Sequence, residues 1–534
     1  MLQLNPDHSF HYEILRTLAH ARYYGADVGE VLQAAQGIEP GNFESFSKAF
    51  EALATRVYSQ AEKIDQSKYP VSARDAYFRA SNYFRAADFY LHGKPEDPRL
   101  EELWTKQTDA FNQANALLSS PGERVTLKTD GFDVIGIYYK TQIGNPSSPK
   151  PTLILGNGYD GAQEEMLHVC GFAALERGYN VIVYEGPGQP TVRRQQGKGF
   201  ITEWEKVVTP IVDFLESRPE VASKRIGLMG YSMGGWLCVR AAAFEHRIAA
   251  AIAVDGIYSV GQAYSNMLPA PWNALRKSGH TQELDETIRG FLTNPKAPSG
   301  LRWGVEQGLW SFNLTSPSEY LDRSDLMTLE GIADGIKCPV WVGEAGDDEF
   351  FRGQPQKVKD ALGDRVTLVK LGMEDAAGHH CHVSAAVLLN QIVFDWFEDI
   401  VSKKRYPYHR TSATLDATKW CSEYMTDDTE LQYANNPVLM GKEVHEMFTQ
   451  VFQQLDLMEH EIVYFDYVPP RIYQAARIRY RVKGDGPGQE IVIQGFATFY
   501  LREDAQKLKC YRAEVYLDPS PLFARIAEKA SNDA

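Results

Sequence analysis

The chain has 534 residues, 44% of them apolar, and its 55 basic and 70 acidic side chains leave a net charge of −15. The length predicts about three or four domains, and the negative balance, with no basic run longer than Lys403-Lys404-Arg405, excludes a nucleic-acid partner because a phosphate backbone would be repelled. No stretch approaches about 18 uncharged apolar residues and the N-terminus lacks a basic start followed by an apolar core, so neither membrane span nor signal peptide is expected, and six scattered cysteines without a Cys-x-x-Cys pair fit reduced thiols in a cytoplasmic protein.

Apolar residues recur at helical spacing through 43–64 and 73–91, making residues 1–120 a helical region. The second of these helices carries aromatics on more than one face, which predicts burial on several sides. From Glu123 the period becomes two, and Asp130-Gly131 between alternating runs predicts a hairpin ending near Tyr139. After the Pro-rich link 145–151, strands are expected at 152–155, 181–184, 226–229, 248–254, 339–342 and 366–371. Helices are expected at 163–177, 202–216, 236–243, 354–362 and 383–400. This alternation predicts an α/β core over 121–402, a mostly parallel sheet covered on both faces, with its site at the carboxyl ends of the strands. Regular alternation stops over 257–335, which holds Trp272, Trp303 and Trp310; a structureless loop of that length is disfavoured, and the stretch reads as an inserted cap. A basic, aromatic linker at 403–411 leads to an α+β domain at 412–534, with helices near 415–424 and 441–455, a short strand at 430–433, and a curled antiparallel sheet from 460–467, 472–482, 490–501 and 507–516.

The stretch that organises the chain is Gly230-Tyr-Ser232-Met-Gly234, between an apolar strand and a helix. That is the context of a nucleophile elbow, where small residues at Gly230 and Gly234 relieve clashes in a tight turn and the serine hydroxyl emerges at a helix N-terminus. A serine hydroxyl needs a base beside it and an acid to orient that base, in the chain order Ser, acid, His. The loop after 339–342 offers two adjacent candidates for the acid, Asp347 and Asp348. The loop after 366–371 offers His379, His380 and His382 around Cys381. Contiguous ligands lack the pairwise spacing that wraps a zinc ion, so a metal site is not expected there. The loop Gly156-Asn-Gly-Tyr159-Asp160-Gly161 follows the first parallel strand, where the second oxyanion donor belongs, which assigns the hole to the N–H groups of Tyr159 and Met233. Gly186-Pro-Gly188 reads as a turn, and no Gly-rich phosphate cradle is present.

These motifs resemble those of the fungal and bacterial α/β-hydrolases that include 2,6-dihydroxypseudooxynicotine hydrolase and the polyketide-shortening pigment hydrolases of fungal melanin pathways. The likeness covers residues from about 70 to 400. Its carriers are Tyr83-Phe-Arg-Ala-Ala-Asp-Phe-Tyr90, Gly158-Tyr-Asp160 with Glu164-Glu165, Glu185-Gly-Pro-Gly-Gln189, the serine motif, Asp348-Glu-Phe-Phe-Arg-Gly-Gln-Pro355 and Gly378-His-His380-Cys381. The resemblance implies an α/β-hydrolase fold with Asp348 as the acid, His380 as the base and Ser232 as the nucleophile. It places Asp160 as a substrate-binding residue or a proton donor to a leaving carbon, and Asn157 stands where that family often has glycine. It implies cleavage of a carbon-carbon bond in a β-dicarbonyl or aryl ketone, or of a related ester, with no cofactor. The acyl-enzyme would pass to water or, in a cyclising enzyme, to a group of the substrate itself. Residues 412–527 separately resemble the cone-shaped SnoaL-like domains, through 420–433 with Asp427-Asp428, Gly441 and the strand ending Glu514-Val-Tyr-Leu-Asp518-Pro. Such domains serve as isomerases and dehydratases or as dimerisation units, so the expected partners are a small-molecule substrate and a second copy of the chain. Asp428, Tyr433, His460 and Glu514 are the residues that would face its cone, with core or surface roles expected first.

Overall fold

In the computed structural model of the chain, the N-terminal helical spacing resolves into α1 (His8–Ala19), α2 (Val28–Ala35), α3 (Phe43–Glu62), α4 (Pro70–Asp88) and α5 (Arg99–Ala116). The structure describes residues 2–294, 296–401, 412–468, 470–486, 488–504 and 507–532. Side chains of Asp7, Asp27 and Asn42 accept first-turn N–H groups and so fix where α1, α2 and α3 begin. On α4 the aromatics Tyr77, Phe78, Tyr83 and Phe84 are all buried, as expected of a helix apolar on several faces.

The alternating runs beside Asp130-Gly131 pair as the antiparallel hairpin β1 (Glu123–Lys128) and β2 (Asp133–Tyr139), with Gly131 at φ +91° in the turn. The sheet continues with β3 (Lys150–Gly156), β4 (Asn180–Glu185), β5 (Val221–Gly230), β6 (Ala250–Ala253), β7 (Val340–Ala345) and β8 (Val366–Leu371), in the order β1-β2-β4-β3-β5-β6-β7-β8. β2 pairs antiparallel with β4, and the strands from β4 to β8 are parallel. Register brings the business end together. Gly156 pairs with Gly230 and Gly230 with Ala253, so the loops leaving β3, β5 and β6 start side by side.

Both faces of the sheet are buried. Leu153 and Leu155 point into one core with Phe46, Tyr83 and Phe397, while Ile154 between them joins Trp204, Trp236 and Leu237 in the other. The helix expected over 163–177 is interrupted by a π turn at Leu167–Gly171, and an additional helix, Pro190–Gln196, follows the turn at Gly186-Pro-Gly188. Among the described residues, five α-helices lie between β6 and β7, Val260–Met267, Ala270–Lys277, Thr281–Leu292, Ser299–Phe312 and Pro317–Asp325.

The chain forms two compact units, 1–401 and 402–534, rather than the three or four that length suggests, because the N-terminal helices and the inserted helices share cores with the one sheet. In the second unit β9 (Met425–Tyr433), β10 (Leu439–Met440), β11 (Leu455–Val468), β12 (Arg471–Val482), β13 (Ile491–Asp504) and β14 (Lys507–Leu517) order as β10-β9-β14-β13-β12-β11. The four expected strands pair antiparallel as β11 to β14, and β9, expected as a separate short strand, joins their sheet parallel to β14. The helix Lys442–Phe452 returns the chain before the meander β11 to β14, and a return of that kind is what parallel pairing requires. The helices Ala417–Tyr424 and Ser520–Asn532 complete this unit, the latter not anticipated. The linker expected at 403–411 lies outside the described residues. No described helix is long and apolar enough to cross a membrane, and all six cysteines are unpaired.

Candidate active site

β5 ends at Gly230 and the helix Gly234–Ala242 begins four residues on. So tight a reversal holds Ser232 at φ +55°, a left-handed conformation that costs a non-glycine residue strain. A Cβ on Gly230 would overlap the Gly234 carbonyl, which is why the first position of the motif must be bare. Ser232 Oγ lies 3.0 Å from His380 Nε2, and His380 Nδ1 lies 3.0 Å from Asp348 Oδ2. Asp348 Oδ1 in turn accepts the Phe350 and Phe351 N–H groups at 2.7 and 3.3 Å. Asp347 is exposed, so of the two adjacent aspartates only Asp348 reaches the imidazole. Of the three histidines, His382 is buried with Nδ1 at 2.7 Å from the Ala377 carbonyl and His379 packs edge-on against His11.

Electrostatics within the chain of three follow from burial and pairing. Burial raises the Asp348 carboxyl, but His380 and the two backbone donors outweigh it and hold the group below the usual carboxylate range. Burial pulls the His380 imidazolium down, yet the carboxylates of Asp255 and Asp348 outweigh burial and hold it well above the usual imidazole range.

The loop 157–161 lies directly against the elbow: a Cβ on Gly158 would sit 2.8 Å from the Met233 nitrogen. Gln189, fully buried, donates Nε2–H to the carbonyls of Asn157 and Gly158 at 2.8 and 3.1 Å. Because a trans peptide opposes its C=O and N–H, turning the Gly158 carbonyl to Gln189 aims the Tyr159 N–H the other way. Asn157 Oδ1 accepts the Gly158 N–H at 2.8 Å and its Nδ2 donates to Glu165 at 3.1 Å, so the residue that departs from glycine braces its own loop.

Helix α1 enters the site from the far end of the chain. Arg16 donates through Nε and Nη2 to both oxygens of Glu165 at 2.7 and 2.6 Å, and through Nη1 to Asp160 at 2.5 Å and Glu13 at 3.4 Å. Arg85 pairs with Glu13. Burial raises the Glu165 carboxyl, but Arg16 and Arg85 outweigh it and keep the group well below the usual range, whereas at Glu13 burial wins over the same two cations and raises it. Asp160 is thus ion-paired to Arg16 where the loop meets the cavity. Tyr12, also on α1, donates its hydroxyl to the His380 carbonyl at 3.3 Å.

Ser232, His380, Arg16 and Asp160 open onto a cavity of about 480 Å³ whose wall includes Phe89, Met166, Tyr264, Leu301, Trp303 and Phe350. The expected oxyanion residue Tyr159 also lines it, its hydroxyl paired with the Gly304 carbonyl and lying 3.0 Å from Tyr320 Oη. Two contributors are invisible to motif reasoning, Arg16 and Asp255. Asp255 follows β6, is 1% exposed and accepts the Ser232 N–H at 3.0 Å. With His380 and Cys381 it makes the one described group of three whose ligand atoms all lie within 4.8 Å of each other, but these atoms are already engaged by Ser232, Asp348 and one another. In the second unit Asp428 is exposed and paired with Arg502, Glu514 pairs with Arg512 at 2.9 Å, and Tyr433 and His460 are half-buried.

The family model described as alpha/beta hydrolase family matches residues 153–391. Hydrolase ORFZ of Pyricularia oryzae is 31% identical over 368 residues, covering 64% of this chain and 84% of that protein. The chain belongs to the alpha/beta hydrolase family. This hydrolase is thus an enzyme whose relatives include the 20-hydroxy-prefusarin hydrolase of Gibberella moniliformis, 28% identical over 411 residues, 74% of this chain and 97% of that one. Among solved structures, the hydrolase also shares its fold with 2,6-dihydroxy-pseudo-oxynicotine hydrolase, at a TM-score of 0.57 and 19% identity over 72% of this chain and 95% of the other.

Proposed function

We propose that the protein is a serine hydrolase that cleaves a carbon-carbon bond of a β-dicarbonyl or aryl ketone, or a related ester, in a polyketide-like small molecule. The observation that carries this reading is the Asp348–His380–Ser232 chain facing a largely apolar, aromatic-walled cavity of about 480 Å³. The likeness to a 20-hydroxy-prefusarin hydrolase and the shared fold with a 2,6-dihydroxy-pseudo-oxynicotine hydrolase support the substrate class. Ser232 Oγ attacks the carbonyl carbon while its proton passes to His380 Nε2, and Asp348 stabilises the imidazolium through Nδ1. The N–H groups of Met233 and Tyr159 hold the oxyanion. Collapse breaks the bond to the leaving carbon or oxygen, and His380 returns its proton to that group. Water, deprotonated by His380, then splits the acyl-enzyme. Asp160, fixed by Arg16, accepts a hydrogen bond from a substrate hydroxyl.

Incubation with a fluorophosphonate, read by intact mass, is expected to add one adduct to the wild type and none to Ser232→Ala; equal labelling of both would refute the mechanism. Turnover needs neutral His380, and its imidazolium is held above the ordinary value of about 6.5. The rate is therefore expected to rise with pH through a midpoint above that value. Charged His380 stabilises the fold fully below about pH 6.5, and that contribution is lost as pH rises through the folded-state pKa. Activity is thus gained in the window where this increment of stability is lost, and parallel rate and melting profiles against pH check both signs.

The second unit reads as SnoaL-like, a reading supported by two helices, Ala417–Tyr424 and Lys442–Phe452, whose Trp420 and Phe452 share a core with Ile478 and Tyr480 of a long-stranded sheet. Glu514→Gln and Tyr433→Phe are expected to leave turnover unchanged; a hundred-fold loss (roughly 2.7 kcal/mol) would move the chemistry to that unit.

A further inference from the structure

Ser232, at φ +55°, and Cys381, the residue after His380, at φ +56°, are among the non-glycine residues at the site that adopt left-handed backbone. Each is strained on its own. Both donate their backbone N–H to one buried carboxylate: Ser232 to Asp255 Oδ2 at 3.0 Å and Cys381 to Asp255 Oδ1 at 3.2 Å. The Cys381 thiol donates to Oδ2 as well, at 2.9 Å, and Oδ1 lies 3.6 Å from His380 Nδ1. Among the described residues no lysine or arginine pairs with Asp255.

We propose that Asp255 is a positioning residue that locks the serine turn and the histidine turn against each other and sets a second negative charge beside the His380 imidazolium. The assignment rests on the serine mechanism above. Its logic is geometric. Ser232 Oγ and His380 Nε2 face each other only while both left-handed turns persist, and a single acceptor spanning the two loops ties those conformations together. Several elements present polar or titratable groups to His380. Asp348 comes from the loop after β7, Asp255 from the loop after β6, Cys381 from its own loop, Tyr12 from α1 and Ser232 from the elbow. Burial pushes the Cys381 thiol up to about 12 and raises the Tyr12 phenol, so both stay neutral and the two aspartates are the charges the imidazolium meets. Asp348 Oδ2 is nearer, at 3.0 Å, and holds the ring; Asp255 Oδ1 at 3.6 Å adds field without competing for that hydrogen bond.

The test uses the full chain and a fluorophosphonate, because the rate of adduct formation at Ser232 reports its activation without a known substrate. Rates are followed by intact mass from pH 5 to 10, roughly spanning the imidazole range, for wild type, Asp255→Asn, Asp348→Asn and the double variant. Asp255→Asn, close in shape, is expected to slow labelling about ten-fold and to lower the midpoint of the acid limb by about one pH unit, since an opposite charge beside the imidazolium is lost. In the Asp348→Asn background the Asp255 change is expected to cost more than in the wild type, because one carboxylate then stands in for the other. A folded Asp255→Asn protein, checked by its melting curve, with an unmoved acid limb would overturn the charge-setting role, since lost packing alone shifts no midpoint. Should that variant not fold, Asp255→Ser, which keeps an oxygen acceptor but carries no charge, is expected to lower the midpoint in the same way; no movement there also overturns the assignment. A wild type that takes no adduct overturns the serine mechanism and this assignment with it, whereas a labelled wild type with unchanged variants overturns this assignment alone.

Discussion

Ser232→Ala is expected to lower turnover by about a million-fold, with KM little changed. The size follows from the unit in which the serine sits. Asp348 orients His380, His380 faces Ser232 Oγ, and each of these contacts is 3.0 Å, so removing the nucleophile leaves the other two nothing to act on. A residual acceleration of about a thousand-fold over water is expected from the oxyanion donors and the binding cavity alone. His380→Ala is expected to cost about as much as the serine change, and the double variant little more than either single, because groups that act as one unit do not add. Steady-state kinetics on any turned-over ketone or ester check this. A Ser232→Ala enzyme that keeps more than about one hundredth of wild-type turnover (roughly 2.7 kcal/mol of barrier) would remove Ser232 from the chemistry, whatever its position in the turn.

The parts of this site that motif and period announce are those made by neighbours in sequence. The elbow is one: a strand, a glycine-flanked serine and a helix within a dozen residues suffice to place Ser232. The order acid then histidine is another, because each lies on the loop after an apolar run. Spacing alone left Asp347 and Asp348 equivalent, and what separates them is which carboxylate the Phe350 and Phe351 N–H groups turn toward His380. Asp255 gave no signal, being a single acid after an apolar strand, and its partners Ser232 and Cys381 lie 23 and 126 residues away. Arg16 is harder still. Its partners Asp160 and Glu165 are 144 and 149 residues downstream, and nothing in the pattern of α1 marks one basic residue as aimed at a loop of the sheet. The parallel pairing of β9 with β14 was unreadable for a related reason, since alternation gives a strand its faces but not its neighbours.

Arg16→Met is expected to be the most destabilising single change at the site, costing about 3–5 kcal/mol, because methionine fills the space but leaves buried carboxylates without their counter-charge. Arg16 is 11% exposed and Glu165 1%, so water cannot replace the guanidinium. Both oxygens of Glu165 bind it, and Glu165 also takes the Asn157 amide, so the loss reaches the oxyanion loop two residues from Tyr159. A melting temperature lower by several degrees is therefore expected together with a drop in turnover of more than about ten-fold (roughly 1.4 kcal/mol). The two effects separate in Arg16→Met with Glu165→Gln: neutralising the stranded acid is expected to restore much of the stability, since an uncompensated buried charge is the source of the cost. Turnover is expected to stay low in that double variant, because Asp160 remains unclamped and the loop has lost its brace. Recovery of stability and turnover together would mean that Arg16 serves only to neutralise Glu165. Recovery of stability alone would show that the N-terminal helix, through one guanidinium, holds the oxyanion loop in its working shape.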